Sequence, residues 1–105
     1  MHIFAGCFHL SIPGAASLKD RRHAVKGLCE RIRSRFPVAI ADLAGERPLW
    51  GRADLGVTMV TADESFGREV LGKVRDFIAG APDSWLDSYE VRSQPFEEWG
   101  EEEEI

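Results

Sequence analysis

The chain opens on an alternation of period two. Phe4, Gly6, Phe8, Leu10 and Ile12 fall on one side of an extended backbone, and Ile3, Ala5, Cys7, His9 and Ser11 on the other. This predicts a strand over residues 2–12, closed by Pro13-Gly14. The period then changes to that of a helix. Leu18, Val25, Leu28, Cys29, Ile32 and Phe36 share one stripe at about 100° per residue. A helix over 17–35 follows, with Ser17 and Asp20 as a variant of the Ser-x-x-Glu capping box and Pro37 as its stop. Residues 38–43 read as a short strand, AGERPLWGRAD (44–54) as a loop, and 55–61 as a further strand. Thr61 and Glu64 form a Thr-x-x-Glu box. It predicts a second helix over 63–79, with Phe66, Val70, Val74, Phe77 and Ile78 facing inward, Gly80 just past its end and Pro82 beyond. Residues 85–92 read as the last strand.

The order β-α-β-β-α-β, with one apolar stripe per helix, predicts an α+β domain of ferredoxin-like type. Four antiparallel strands would form one sheet, with both helices on one face. The domain would span residues 1–94, followed by an acidic tail over 95–105.

At 105 residues the chain has room for one hydrophobic core. No apolar run approaches the roughly 18 residues of a membrane span. Two cysteines are too few for a disulfide framework and lack zinc spacing, which points to a cytoplasmic protein with reduced thiols.

Charge changes the picture more than composition does. The net charge is −5, yet residues 1–53 carry nine Lys/Arg against four Asp/Glu, and residues 54–105 carry four against fourteen. Most of the first group lies in the first helix. Lys19, Arg22, Lys26 and Arg33 fall within an arc of about 60° beside the apolar stripe. Such a row can follow a phosphate backbone, releasing counterions as it binds. It can also be a solvated face. In the loop, Trp50 stands between Arg47 and Arg52, a combination suited to base stacking or to a protein hot spot. The turn before the helix, with Gly14 and Ser17, could hold an anion on backbone N–H groups, though no P-loop pattern is present.

The sheet face away from the helices would show Ile3, Ala5, Cys7, Thr58 and Val60. That set is small and apolar, and a homodimer through the face would cover it. It carries no aromatic pair for base stacking. The tail EEWGEEEE reads as a solvated end; folded back on the first helix with Trp99 as anchor, it would compete with an anionic partner. Cys7 and His9 could supply half a metal site, but the sequence offers no third ligand. No nucleophile–base pair or hydrolase motif is evident, and no cofactor or metal is expected.

Two stretches, IPGAASLKDRRHAVKGLCERIRSRF and VAIADLAGERPLWGRADLGV, resemble the small bacterial YlxP-like proteins over roughly Leu10 to Val60. The resemblance implies a ferredoxin-like fold and no established reaction. It also implies a setting near translation-initiation and ribosome-maturation genes. The chain departs from the family pattern at Asp42, where Glu is expected, and in its acidic tail. Residues and resemblance together suggest a non-enzymatic domain that binds RNA or a ribosomal subunit. Lys19, Arg22, Lys26 and Arg33 would dock it, and Arg47, Trp50 and Arg52 would add stacking. The alternatives are a sheet-mediated homodimeric adaptor and a small-anion-binding enzyme using the turn at Gly14 and Ser17.

Overall fold

The computed structural model describes residues 1–46 and 48–105. Strand β1 spans His2–Ser11, helix α1 Leu18–Arg35, β2 Ala39–Asp42 and β3 Arg52–Thr61. Helix α2 spans Glu64–Ala79, β4 Trp85–Pro95, and a single 3-10 turn Phe96–Glu98 follows. The strands lie in the order β2-β3-β1-β4, with every neighbouring pair antiparallel. This split β-α-β topology is the ferredoxin-like arrangement predicted from the element order. No helix among the described residues is long and apolar enough to cross a membrane.

The alternation in β1 has its expected consequence. Phe4, Phe8, Leu10 and Ile12 are buried and meet Leu55, Val57 and Met59 of β3 under the helices. From α1 come Val25, Leu28, Cys29 and Ile32, and from α2 Val70, Leu71, Val74 and Ile78. Each fully buried aliphatic or aromatic side chain of this set contributes about 1.5–3 kcal/mol. At the far end of the helices Phe36 and Phe77 meet edge to face, with centroids 5.8 Å apart, and the Arg35 guanidinium lies over the Phe77 ring.

Helix α1 starts as predicted: Ser17 is the N-cap and its hydroxyl accepts from the Asp20 N–H. Five local expectations are corrected. Helix α2 is capped by Asp63, whose carboxylate accepts from the Ser65 and Phe66 N–H groups. Thr61 instead holds Asp63 in place by accepting from its N–H. The inner face of α2 is rotated by one position, so that Gly67 and Leu71 are inside while Phe66 is exposed. Leu18 of α1 is likewise exposed, because it lies in the first turn beyond the sheet. Strand β3 begins at Arg52, three residues before the expected start, because Arg52 and Asp54 alternate with buried Ala53. Strand β4 runs on to Pro95, and the Phe96 N–H continues the ladder to the Met1 carbonyl.

The rotation of α2 has a steric cause. A Cβ at Gly67 would stand 2.2 Å from Phe4 Cε2, so the helix crosses the sheet where the Phe4 ring fills the place of a side chain. Gly67→Ala should therefore cost about 1–3 kcal/mol by overpacking against a buried ring, although Ala alone favours a helix by about 1 kcal/mol. Gly72→Ala in the same helix meets nothing closer than 3.9 Å and should be neutral or stabilising. Urea unfolding midpoints of the two variants measure the difference.

Candidate nucleic-acid interface

The cations of α1 divide into groups with different surroundings. Arg21 sits on the apolar stripe, spaced four, seven and eleven residues from Val25, Leu28 and Ile32, and it is buried with them. Its Nε donates to the Arg52 carbonyl at 2.7 Å, and Nη1 and Nη2 donate to the two Asp42 carboxylate oxygens at 2.8 and 3.0 Å. Asp42 also accepts from the Ala44 N–H. Asp42 ends β2 and Arg52 begins β3, so one guanidinium ties α1 to both stems of the Leu43–Gly51 loop. The hydrogen bond from Arg21 holds the Asp42 carboxyl below its ordinary range, against the opposing effect of burial. Arg21 rises in turn, chiefly through its bond to Asp42.

Arg33 is exposed, and its Nη2 donates to the Ile40 carbonyl at 3.0 Å. The Leu43 N–H bonds to the Asp54 carbonyl. By antiparallel alternation Ile40 then points its carbonyl away from β3, toward the open edge of β2. Arg33 thus covers that edge, and the flank of α1 that it shares with Arg22 and Lys26 overhangs β2. Lys19, Arg22 and Lys26 are exposed and form no ion pair among the described residues.

The loop residues flank the same region. Trp50 is 55% exposed. The Gly51 carbonyl beside it accepts from the Ile12 N–H at 2.8 Å, which fixes the end of the loop next to the turn that leads into α1. Arg52 extends to solvent and comes within 3.9 Å of Asp54. Arg47 lies outside the described residues. Lys19, Arg22 and Lys26 therefore form a row that makes no ion pair among the described residues, with exposed Glu30 one turn beyond Lys26 and with Trp50 and Arg52 at the end of α1 that Arg21 anchors.

The turn with Gly14 and Ser17 has a different character. It borders a hollow of about 480 Å³ lined by Pro13, Gly14, Lys19, Asp20, His23 and Pro82, among others. Within it the Asp20 carboxylate already accepts from the Ala16 N–H, and the Ser17 hydroxyl is engaged as the cap. A carboxylate of the chain itself occupies a backbone donor that an anion would use.

The outer sheet face carries Ile3, Ala5, Cys7, Thr58 and Val60 as expected. A shallow apolar hollow of about 340 Å³ lies among Ala5, Ala39, Ala41, Leu43, Gly56 and Thr58. Next to it His9 Nδ1 lies 2.6 Å from Asp54 Oδ1. Burial, with Asp54 and Glu90 nearby, raises the Cys7 thiol above its ordinary range and so keeps it protonated. The described residues hold no cluster of three His, Cys, Asp or Glu placed to bind a metal ion. In the tail, Trp99 is half exposed and residues 101–105 are exposed, and no ion pair joins them to α1 among the described residues.

Residue-by-residue reasoning over the sequence misses Arg21, which reads as one more surface cation. The signals that mark it are its helical spacing to Val25, Leu28 and Ile32, and an acid at the end of the next strand.

A family profile described as "Protein of unknown function (DUF503)" matches residues 3–91. The "Uncharacterized protein YlxP" of Bacillus subtilis is 30% identical over 80 residues, which cover 76% of this chain and 85% of that one. Among solved structures, the de novo designed protein Foldit4 aligns with a TM-score of 0.52 at 14% identity, covering 90% of this chain and 98% of its own. At that identity the likeness concerns the fold alone. The designed protein LFR1 1, with a ferredoxin fold, aligns at 0.48 and 11% identity, covering 99% and 96% of the two chains.

Removing the Asp42 carboxylate strands a buried guanidinium. Asp42→Ala should cost about 2–3 kcal/mol, less than a fully buried pair because Asp42 is one-third exposed. The folded-state pKa of Asp42 is depressed, so the pair's contribution is complete above the unfolded carboxylate pKa of about 3.9. It is lost as pH falls below that value, through the folded pKa. Thermal melts between pH 7 and 2 should show the natural chain losing its advantage over Asp42→Ala in that acid window.

Proposed function

The chain belongs to the DUF503 family, and from that premise we propose that it is a cytoplasmic accessory factor that binds RNA or a ribonucleoprotein such as a ribosomal subunit. The observation that carries this reading is the row of Lys19, Arg22 and Lys26, exposed and free of acid partners among the described residues in a chain of net charge −5. Elsewhere on the surface, cations are drawn to the chain's own acids: Arg68 to Glu64, Lys73 to Glu69, Arg75 to Asp76 and Arg92 to Glu90. The α1 row makes no such direct contact among the described residues, so its cations are open to phosphate, with Asp20 and Glu30 the acids of the same helix. Docking is electrostatic. The row neutralises successive phosphates, Arg52 adds a further charge, and Trp50 offers a ring on which an unpaired base can stack. Arg33 contributes less than its place in the row suggests, because it is engaged at the β2 edge.

Co-sedimentation with ribosomal subunits, and titration of a structured RNA, should detect binding that weakens steeply with salt. The three cations of the row and Arg52 imply a slope of about −3 to −4 in log K against log salt. The triple variant Lys19→Glu, Arg22→Glu, Lys26→Glu should abolish it. Trp50→Ala should weaken binding with the salt slope unchanged, since stacking releases no counterions. Equal pelleting of the natural and triple-variant chains would remove α1 as the docking surface.

A further inference from the structure

The two edges of the sheet are unlike. The β2 edge is four residues long, and Arg33 covers its outward carbonyl. The β4 edge is eleven residues long, and it exposes Trp85, Tyr89 and Val91. The only irregularity in its pairing with β1 lies between His9 and Leu10, opposite residues 86–88. Beyond that point residues 88–95 run in unbroken register. This stretch, free of a bulge and with a proline only at its last residue, Pro95, is a template for another strand.

The hydrogen-bond phase of that edge follows from the ladder. The Ile12 N–H bonds to the Gly51 carbonyl, and the Phe96 N–H to the Met1 carbonyl. Even-numbered residues of β1 thus bond to β3, and odd-numbered ones to the even-numbered residues of β4. Tyr89, Val91 and Ser93 are left with N–H and C=O directed away from the sheet.

We propose that two copies of this chain pair antiparallel along β4, about a two-fold axis at Val91, to make one continuous eight-stranded sheet. Charge and backbone together select the register; an axis at Ser93, for instance, would set Val91 against Pro95, which has no N–H to give. Residues opposite each other across an antiparallel pair share a sheet face, so the axis passes through a residue. An axis at Glu90 or Arg92 sets like charges against each other. An axis at Tyr89 drives the pairing into the irregular segment. At Val91 the backbones of residues 89, 91 and 93 bond to those of 93, 91 and 89. Glu90 of each copy then faces Arg92 of the other, twice. Within one chain Arg92 Nη2 already lies 3.3 Å from Glu90 Oε2, so the four side chains close into an alternating quartet on the outer face. On the helix face Val91 meets Val91, and Tyr89 meets Ser93.

Sedimentation equilibrium of the full chain over a wide concentration range tests the proposal. The natural chain should dimerise. Glu90→Arg alone and Arg92→Glu alone should each weaken the dimer about tenfold or more, since each sets two like-charge contacts across the axis. The double variant Glu90→Arg, Arg92→Glu should restore it. Both side chains are exposed, so folding should be unaffected, and equal melting temperatures verify this. Val91→Pro removes an N–H that serves nothing inside the chain and should also leave a monomer. A natural chain that stays monomeric overturns the proposal. So does a dimer indifferent to the single variants, or one that the double variant fails to restore. None of these variants touches the α1 row, so RNA binding and dimerisation can fail separately.

Discussion

The placement of the candidate interface depends on one buried guanidinium. Arg21 lies beneath α1, and its transfer out of water is offset by three directed bonds, one to the Arg52 carbonyl and two to Asp42. A planar fork can meet a carboxylate and a carbonyl together in this way, whereas a lysine ammonium would satisfy the same acceptors with less geometric control. The interaction also limits how the molecule can rearrange. Sliding α1 along the sheet would separate Arg21 from Asp42 and leave both uncompensated, a cost that an apolar contact of the same size would not impose. The helix, the end of β2 and the start of β3 are therefore fixed as one unit, and the loop that carries Trp50 is held at its two stems.

The basic helix of this acidic chain is partly structural. Arg21 faces inward, Arg33 closes the β2 edge, and Arg35 lies over Phe77. What the fold leaves open to solvent is the row of Lys19, Arg22 and Lys26, with Arg31 outside that row. Its position on the β2 side of the sheet places it away from the β4 edge.

Strong periodicity made most of the architecture readable. The Phe4–Ile12 alternation and the Val25–Ile32 stripe each had one arrangement that buried their apolar sides. Positions where the signal fails share a cause, in that the decisive partner is distant in sequence. Gly67 faces inward because Phe4 needs its space, and hydropathy counts only Phe66. Arg52 and Asp54 belong to β3 although both are charged, because they stand on the outer face where alternation permits polar groups. Strand β4 bonds to one neighbour only, so residues 93–95 carry too little apolar pattern to reveal that the strand continues. The role of Arg21 is hidden for the same reason: a charge on an apolar stripe makes sense only once Asp42 is seen beside it. That Lys19, Arg22 and Lys26 make no ion pair among the described residues was not legible either, since it depends on where the acids of the chain end up.

Charge segregation has a further consequence, for the dynamics of encounter. The molecule measures 45 × 29 × 22 Å, and its tail leaves from the Met1 end of β4, across the sheet from the β2 edge that α1 overhangs. At physiological ionic strength fields decay over about 8 Å. A polyanion drawing near thus responds to whichever side it meets rather than to the net charge of −5. It is attracted on one side and turned away on the other, so the protein carries a torque that rotates it before contact. Added salt would erase that orientation before it dissolved the bound state, and the loss would appear first in the association rate.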